Sequence, residues 1–296
     1  MTGGAMDQLG TIVPPAPGRE LYAVIGNPVA HSKSPFIHAR FAEQTGEPVE
    51  YRHLLGPLGR FEETVRAFIA AGGRGLNVTV PFKLEAHALA DKHSARAAAA
   101  GAVNTLRFDG DSIYGENTDG VGLVRDIESN LGVPLAGARI LVLGAGGAAR
   151  GVVLPMLERS PAALAIVNRT ASKADELVAQ FAGAAQRAGC ALTGGGPNVV
   201  EPRAYDIVVN ATAGSLDAAL PECDSRAFGA HTLAYDMMYG AEPTVFMRHA
   251  ESLGARAADG LGMLVEQAAE SFFVWRAVRP ASAPVLAELR RILTRS

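Results

Sequence analysis

The stretch Arg139 to Gly151 reads RILVLGAGGAARG and leaves the chain few architectures to choose from. Four apolar residues, Ile140 to Leu143, form a short buried-strand run; Gly144, Gly146 and Gly147 follow at once, ahead of an Ala-rich segment suited to a helix. Glycine at such a turn takes backbone angles closed to other residues and lets the chain approach a pyrophosphate. The anion then sits on the free N–H groups and positive end of the next helix. The cradle spans Gly144, Ala145, Gly146, Gly147 and Ala148. A plain strand-to-helix turn has the same composition, so the residues downstream decide.

In a Rossmann unit a second strand follows about twenty residues after the loop, and its end separates NAD from NADP. Leu164 to Val167 is that strand, and it ends in Asn168-Arg169-Thr170 with Lys173 one turn later. No acid stands where NAD enzymes bind the ribose 2′-hydroxyl. A carboxylate there repels a 2′-phosphate, whereas Arg169 grips it with a planar fork and Lys173 adds a second positive charge. The expected cofactor is NADP. Tyr205–Asn210 and Thr232–Asp236 read as later strands of the same parallel sheet, each ending at a cofactor-lining loop.

The 296 residues suffice for two domains, and 48% hydrophobic residues supply their cores. A net charge of −3 gives no general attraction to nucleic acid or an anionic membrane. Cys190 and Cys223 show no CxxC spacing, so neither a disulfide framework nor a cysteine-based zinc site is expected, which fits a reducing cytoplasm. Residues 1–19, rich in Gly and Pro, read as a flexible leader rather than a signal peptide. No apolar run approaches the roughly eighteen residues that a membrane span needs.

Order is expected from Leu21–Ile25, a strand running into GNPVAHSKSPFIHARF. Ser32 and Ser34 flank Lys33, so two hydroxyls converge on one small anion, such as a carboxylate. An alternative of equal weight has Ser34 capping a helix that starts at Pro35. His31 and His38 have no partner acids or cysteines at ligand spacing, and packing roles are expected for them; no metal site is. Glu62–Ala71 reads as a helix, and Leu76–Val80 as a strand that Pro81 ends, presenting Lys83 beyond its C-terminal edge. Asn77, Thr79 and Lys83 then share one opening. A lysine there suits a general acid that hands a proton to an alkoxide forming on a carbonyl. Ala86–Ala100 reads as an Ala-rich helix, followed by Asn104 on a short strand and Asp119 in a glycine-flanked loop before a helix from Val121. A carboxylate beside Lys83 would hold its ammonium in place.

These stretches together resemble the shikimate dehydrogenase family, from about Tyr22 to the C-terminal helix. GNPVAHSKSP, GLNVTVPFK, GAVNTL, NTDG, GAGGAARG, NRT, NAT, YDMMY and DGLGMLVEQ stand in the family order. The resemblance implies NADPH-dependent reduction of 3-dehydroshikimate to shikimate, a step toward chorismate and the aromatic amino acids. It implies Ser32 and Ser34 on the substrate carboxylate, and Asn77, Thr79, Asn104, Asp119, Tyr239 and Gln267 on its ring hydroxyls. Lys83 with Asp119 would handle the proton, and Met237 and Gly260 would lie near the nicotinamide. Ala39 stands where the family often has Asn, a departure expected to matter little, and Lys173 stands where a second Arg is common, so the grip on the 2′-phosphate is expected to be looser. Ala213-Gly214-Ser215 replaces the family's usual turn and carries no assigned role.

The implied fold is α/β in two domains. An N-terminal substrate domain (20–119) precedes a Rossmann-type NADP-binding domain with a parallel sheet (120–259), and C-terminal helices (260–296) return to the first domain. Leu261–Ala277 is expected as an amphipathic helix and Val285–Arg295 as the last one, with Trp275, Phe272 and Phe273 in packing roles. A monomer or homodimer acting on a small molecule in the cytoplasm is expected, with neither nucleic acid nor membrane as partner. The rivals are a quinate/shikimate dehydrogenase using NAD, a methylene-tetrahydrofolate dehydrogenase, and a non-catalytic NADP-binding sensor.

Overall fold

Closely spaced Gly and Pro residues cut the front of the chain into short elements. In the computed structural model, which describes residues 12–212 and 220–294, these are β1 (Glu20–Gly26), α1 (Ser34–Thr45), β2 (Val49–Leu55), α2 (Phe61–Ala70), β3 (Gly73–Val78), α3 (Lys83–Leu89), β4 (Lys92–His93), α4 (Ala95–Ala100), β5 (Thr105–Asp109) and β6 (Ser112–Glu116). They build one sheet in the order β2-β1-β3-β5-β6-β4. β1 runs parallel to β2 and β3, while β5 is antiparallel to both β3 and β6. Ile25, Leu76, Val78 and Phe82 pack in its core.

Three expectations for this half change. β3 begins earlier than Leu76 and stops at Val78, because the chain turns over Thr79–Phe82, with Phe82 N donating to Thr79 O at 3.0 Å. The expected helix Ala86–Ala100 is two helices. Asp91 turns from the helix to accept Ile113 N at 2.7 Å, and Ser94 caps a new start by accepting Ala97 N at 3.0 Å. Residues 13–16 of the expected flexible leader are tied to β2, where Arg52 donates to the Val13 and Pro14 carbonyls and Ala16 N donates to Glu50. Residues 1–11 of that stretch lie outside the described residues.

The second half holds α5 (Asp119–Arg125), which passes into a π-type turn at Asp126–Asn130, then β7 (Arg139–Leu143), α6 (Gly147–Leu157), β8 (Ala163–Val167), α7 (Ala171–Ala188), β9 (Ala191–Gly195), β10 (Ile207–Asn210), β11 (Leu233–Asp236), α8 (Val245–Ser252), β12 (Arg256–Asp259), α9 (Leu261–Arg276) and α10 (Ser282–Leu293). Its sheet has the order β12-β11-β10-β7-β8-β9 with every pair parallel, the doubly wound Rossmann arrangement. A parallel sheet covered on both faces needs continuous apolar strands, and Ile140–Leu143 is buried throughout. Pro155 inside α6 has no N–H for the Gly151 carbonyl, and α5 approaches at that point. A Cβ on Gly120 would stand 2.5 Å from that oxygen, so only glycine fits.

The chain divides into two units: residues up to Thr118 together with Ala268–Ala281, and Asp119–Gln267 together with the residues from Ser282 onward. The division thus falls inside α9, and only 268–281 of the C-terminal region joins the first unit. α10, expected on the first domain, belongs to the second, where Arg290 grips the Asp259 carboxylate with both guanidinium nitrogens. α9 is also not one-sided: among Leu261–Arg276 only Phe273 is exposed (40%), with Arg279 lying 4.4 Å over its ring, so the expected packing role for Phe273 does not hold. Phe272 and Trp275 are buried.

Candidate active site

In the first unit the loop after β1 carries the two serines. α1 begins at Ser34 itself and receives no side-chain cap among the described residues, so Ser34 Oγ is not spent on capping. The Ser32 hydroxyl donates to Ser34 Oγ at 3.2 Å, and Ser34 N donates to Ser32 Oγ at 3.3 Å. The pair is thus held together at the head of the helix. On β2, burial pushes the pKa of the Tyr51 hydroxyl well above the usual range.

Asn77, near the end of β3, is the hub behind them. Its Oδ1 accepts from Tyr51 Oη at 2.7 Å and from His38 Nε2 at 3.2 Å. Its Nδ2 donates to Ser271 Oγ at 2.9 Å, Thr105 Oγ1 at 3.1 Å and the Asn104 carbonyl at 3.3 Å. An amide offers two donors and two acceptor sites, so Asn77 is saturated by the protein. His38 is fully buried among the rings of Tyr51, Phe41, Phe272 and Trp275, and that burial lowers its pKa from 6.5 to about 3. Its contact with an amide oxygen assigns the proton to Nε2, which leaves Nδ1 buried without a partner among the described residues.

Lys83 opens α3 half-buried, and its carbonyl accepts Val103 N at 3.0 Å, tying it to the segment that carries Asn104. The Asn104 amide holds Thr118 from both sides: Oδ1 accepts Thr118 N at 2.9 Å, and Nδ2 donates to Thr118 Oγ1 at 3.0 Å. Asp119 follows as the first residue of α5, half-buried. Thr79 is half-buried beside Gly26, where a Cβ would stand 2.4 Å from its methyl group. Of the hydrogen-bonded side chains around Asn77 and Asn104 in the first unit, the sequence singles out the two asparagines but not Tyr51, Thr105, Thr118 or Ser271. Thr118 lies within the quoted NTDG motif, and Ser271 follows Gln267 by one helical turn, which is the signal that could have found it.

In the second unit the glycine loop has the expected form. Gly144 adopts φ +108°, and a Cβ there would stand 3.0 Å from Thr212, whereas Gly146 and Gly147 face open space. α6 starts after Gly146 with no side-chain cap among the described residues. Ala145 N donates to Asn168 Oδ1 at 3.3 Å, and Asn168 Nδ2 donates to the Thr170 carbonyl at 2.9 Å, fastening the loop to the end of β8. Arg169 and Lys173 are exposed and form no ion pair among the described residues. An uncapped helix start, a glycine cradle and two available cations without an acid fit a dinucleotide bearing a 2′-phosphate.

The neighbouring strand ends are braced by polar side chains. Asn210 donates to Asp236 at 3.1 Å, and Thr244 donates to the same carboxylate at 2.6 Å. Gly260 runs against Met237, where a Cβ would meet the carbonyl oxygen at 2.2 Å. Tyr239 is half-buried, and its pKa is raised by burial and then by the negative charge of Asp259. Gln267 donates to the Leu264 carbonyl at 2.9 Å. Ala213-Gly214-Ser215 lies outside the described residues. Among the described residues no group of three or more His, Cys, Asp or Glu could hold a metal, and no helix is long and apolar enough to cross a membrane.

A Rossmann sheet with this loop, in one chain with an α/β unit rich in converging hydroxyl and amide groups, defines the class of nicotinamide-nucleotide oxidoreductases with a dedicated substrate domain. Comparison with known proteins narrows it. Residues 24–106 match the shikimate dehydrogenase substrate binding domain, 126–218 the shikimate / quinate 5-dehydrogenase family, and 260–290 the shikimate 5′-dehydrogenase C-terminal domain. The chain is 56% identical over 276 residues to the shikimate dehydrogenase (NADP(+)) of Cupriavidus pinatubonensis, covering 92% of this chain and 94% of that one. Among solved structures it is similar to an Ael1 enzyme from Pseudomonas putida (TM-score 0.86, 46% identity, 91% of this chain and 98% of that one). It is also similar to the shikimate 5-dehydrogenase of Thermus thermophilus in complex with NADP(H) and shikimate (TM-score 0.79, 32% identity, 92% and 99%). The chain belongs to the shikimate dehydrogenase family.

Proposed function

We propose that the protein catalyses the reversible, NADPH-dependent reduction of 3-dehydroshikimate to shikimate, a step toward chorismate and the aromatic amino acids. The observation that carries this reading is 56% identity along 92% of the chain to a shikimate dehydrogenase (NADP(+)). Arg169 and Lys173, exposed at the end of β8 where an NAD enzyme needs an acid, support the choice of cofactor.

NADPH, when bound, supplies the hydride. Gly144–Ala148 hold its pyrophosphate, Asn168, Arg169, Thr170 and Lys173 its 2′-phosphate end, and Met237 and Gly260 the nicotinamide side. Ser32 and Ser34 donate to the substrate carboxylate. Thr79, Asn104, Tyr239 and Gln267 fix the ring hydroxyls, while Asn77, its hydrogen bonds already used, frames them. Lys83 donates the proton to the oxygen as it gains negative charge, and Asp119 orients that ammonium. A proton donor placed at a developing alkoxide acts mainly in the transition state, where it contributes most to rate.

The enzyme acts in the cytoplasm as a monomer or homodimer. The reading is tested by following nicotinamide absorbance with shikimate or quinate, each with NADP+ or NAD+. Turnover dominated by shikimate with NADP+ is expected; preference for NAD+ would overturn the role of Arg169, and preference for quinate the choice of substrate.

A further inference from the structure

The nicotinamide side of the proposed cofactor site lies where β12 passes into α9, and one carboxylate ties that junction together. Asp259, the last residue of β12, is buried, and its Oδ1 accepts Leu261 N at 3.2 Å, which fastens the first turn of α9 across Gly260. Gly260 is pinned on its other side, where its N donates to the Met238 carbonyl at 3.0 Å and its α-carbon stands too close to the Met237 carbonyl for any side chain. The same helix carries Gln267.

A buried carboxylate is costly without a partner, and negative charge is crowded here. Asp126 and Glu266 are buried around the same junction: Gly262 packs on the Asp126 carboxylate, and the Asn130 amide donates to Asp126 at 2.9 Å and to Glu266 at 3.1 Å. Burial raises the Asp126 pKa against hydrogen bonds from Tyr235 and Asn130, and the charges of Glu266 and Asp259 raise it further. Half-buried Arg290 reaches in from α10, with Nη1 donating to Asp259 Oδ2 at 2.6 Å and Nη2 to Oδ1. The fork fixes both oxygens and the plane of the carboxylate while Oδ1 still accepts Leu261 N. A lysine would supply the charge without that plane.

We propose that Arg290 is a positioning residue for the nicotinamide, holding Asp259 so that Gly260 stays seated on Met237 and α9 starts where Gln267 meets the substrate. The inference rests on the proposed places of Met237, Gly260 and Gln267. Without the guanidinium, Asp259 must take up a proton or turn toward solvent. Either change loosens its hold on Leu261 N, and Gly260 shifts. A misplacement of about 1 Å at the hydride carrier costs about a hundredfold in rate. The rest of the nucleotide, held by Gly144–Ala148 and Arg169, is untouched.

The test compares Arg290→Met, which keeps the stem, with Arg290→Lys and with Arg290→Met combined with Asp259→Asn, whose amide still offers an oxygen to Leu261 N but leaves no charge unpaired. Steady-state turnover of shikimate with NADP+ is measured beside calorimetric binding of 2′-phosphoadenosine 5′-diphosphoribose, which is NADP+ without its nicotinamide. Arg290→Met is expected to lower kcat about ten- to a hundredfold, with affinity for the probe within about twofold of the wild type. Adding Asp259→Asn is expected to recover at least about threefold of the lost kcat, and Arg290→Lys to fall between Arg290→Met and the wild type. A kcat within about twofold of the wild type, a loss of kcat matched by a loss of probe binding, or no recovery in the double variant would overturn the inference. If Arg290→Met lacks a cooperative melt, Arg290→Lys decides: a kcat at least about threefold down with normal probe binding supports the inference, and any smaller loss overturns it. If the wild type itself does not turn over shikimate, the proposed function fails, and this inference with it.

Discussion

His38 makes the protein lose stability in acid in a way that one substitution should remove. The imidazole is fully buried, stacked on Tyr51 and edged by Phe41, and no acidic side chain among the described residues bonds to it; desolvation lowers its pKa from 6.5 to about 3. Above about pH 6.5 neither the folded nor the unfolded chain protonates this group, and its contribution is fully present. Between 6.5 and about 3 the unfolded chain binds a proton that the folded one refuses, so stability falls as pH falls. At about 1.4 kcal/mol per pH unit, two units of acidification remove about 2 to 3 kcal/mol through this residue. Urea unfolding at about pH 7.5 and about pH 4.5 measures it, with His38→Gln as reference, since Gln keeps a donor for Asn77 and does not titrate. The carboxylates titrate in both proteins and drop out of the comparison. The wild type should lose about 2 to 3 kcal/mol more than the variant over that interval. Equal losses would mean that His38 is solvated or paired in the folded state, and the packing described around Asn77 would be wrong.

Two further substitutions probe the nucleotide side. Arg169→Ala removes a charge-assisted contact to the 2′-phosphate, so the KM for NADPH should rise roughly ten- to a hundredfold while that for shikimate holds; an unchanged KM in steady-state assays would free Arg169 of the role. Gly260→Ala drives a methyl group to 2.2 Å from the Met237 carbonyl oxygen, which is backbone and cannot swing aside. Chemical denaturation should show a loss of about 1 to 3 kcal/mol, and wild-type stability would mean that the two segments are farther apart than described.

What the residues disclosed in advance follows from how local each signal was. The Rossmann strands were legible because parallel strands buried on both faces must be continuous apolar runs, as Ile140–Leu143 and Leu164–Val167 are. β2 escaped because VEYRHLL alternates apolar with charged residues and is only half-buried. Alanine propensity does not carry one helix across Ala86–Ala100, because the turn at Asp91 and the cap at Ser94 override it. Lys83, Ser32 and Ser34 could be named from short motifs, but Tyr51 and Ser271 could not. Their partners lie 26 and 194 residues away in sequence at Asn77, and only the fold brings such hydroxyls to one amide. The place of α10 was hidden for the same reason, since Arg290 finds Asp259 across 31 residues.

The most direct measurement is the turnover number of Lys83→Met, which keeps the aliphatic stem and removes the ammonium. With shikimate and NADP+ at saturation, kcat should fall by about two to four orders of magnitude while the shikimate dissociation constant changes far less. A kcat within about threefold of the wild type would show that the proton leaves the substrate hydroxyl by another route, and the assignment of Lys83 would have to be abandoned.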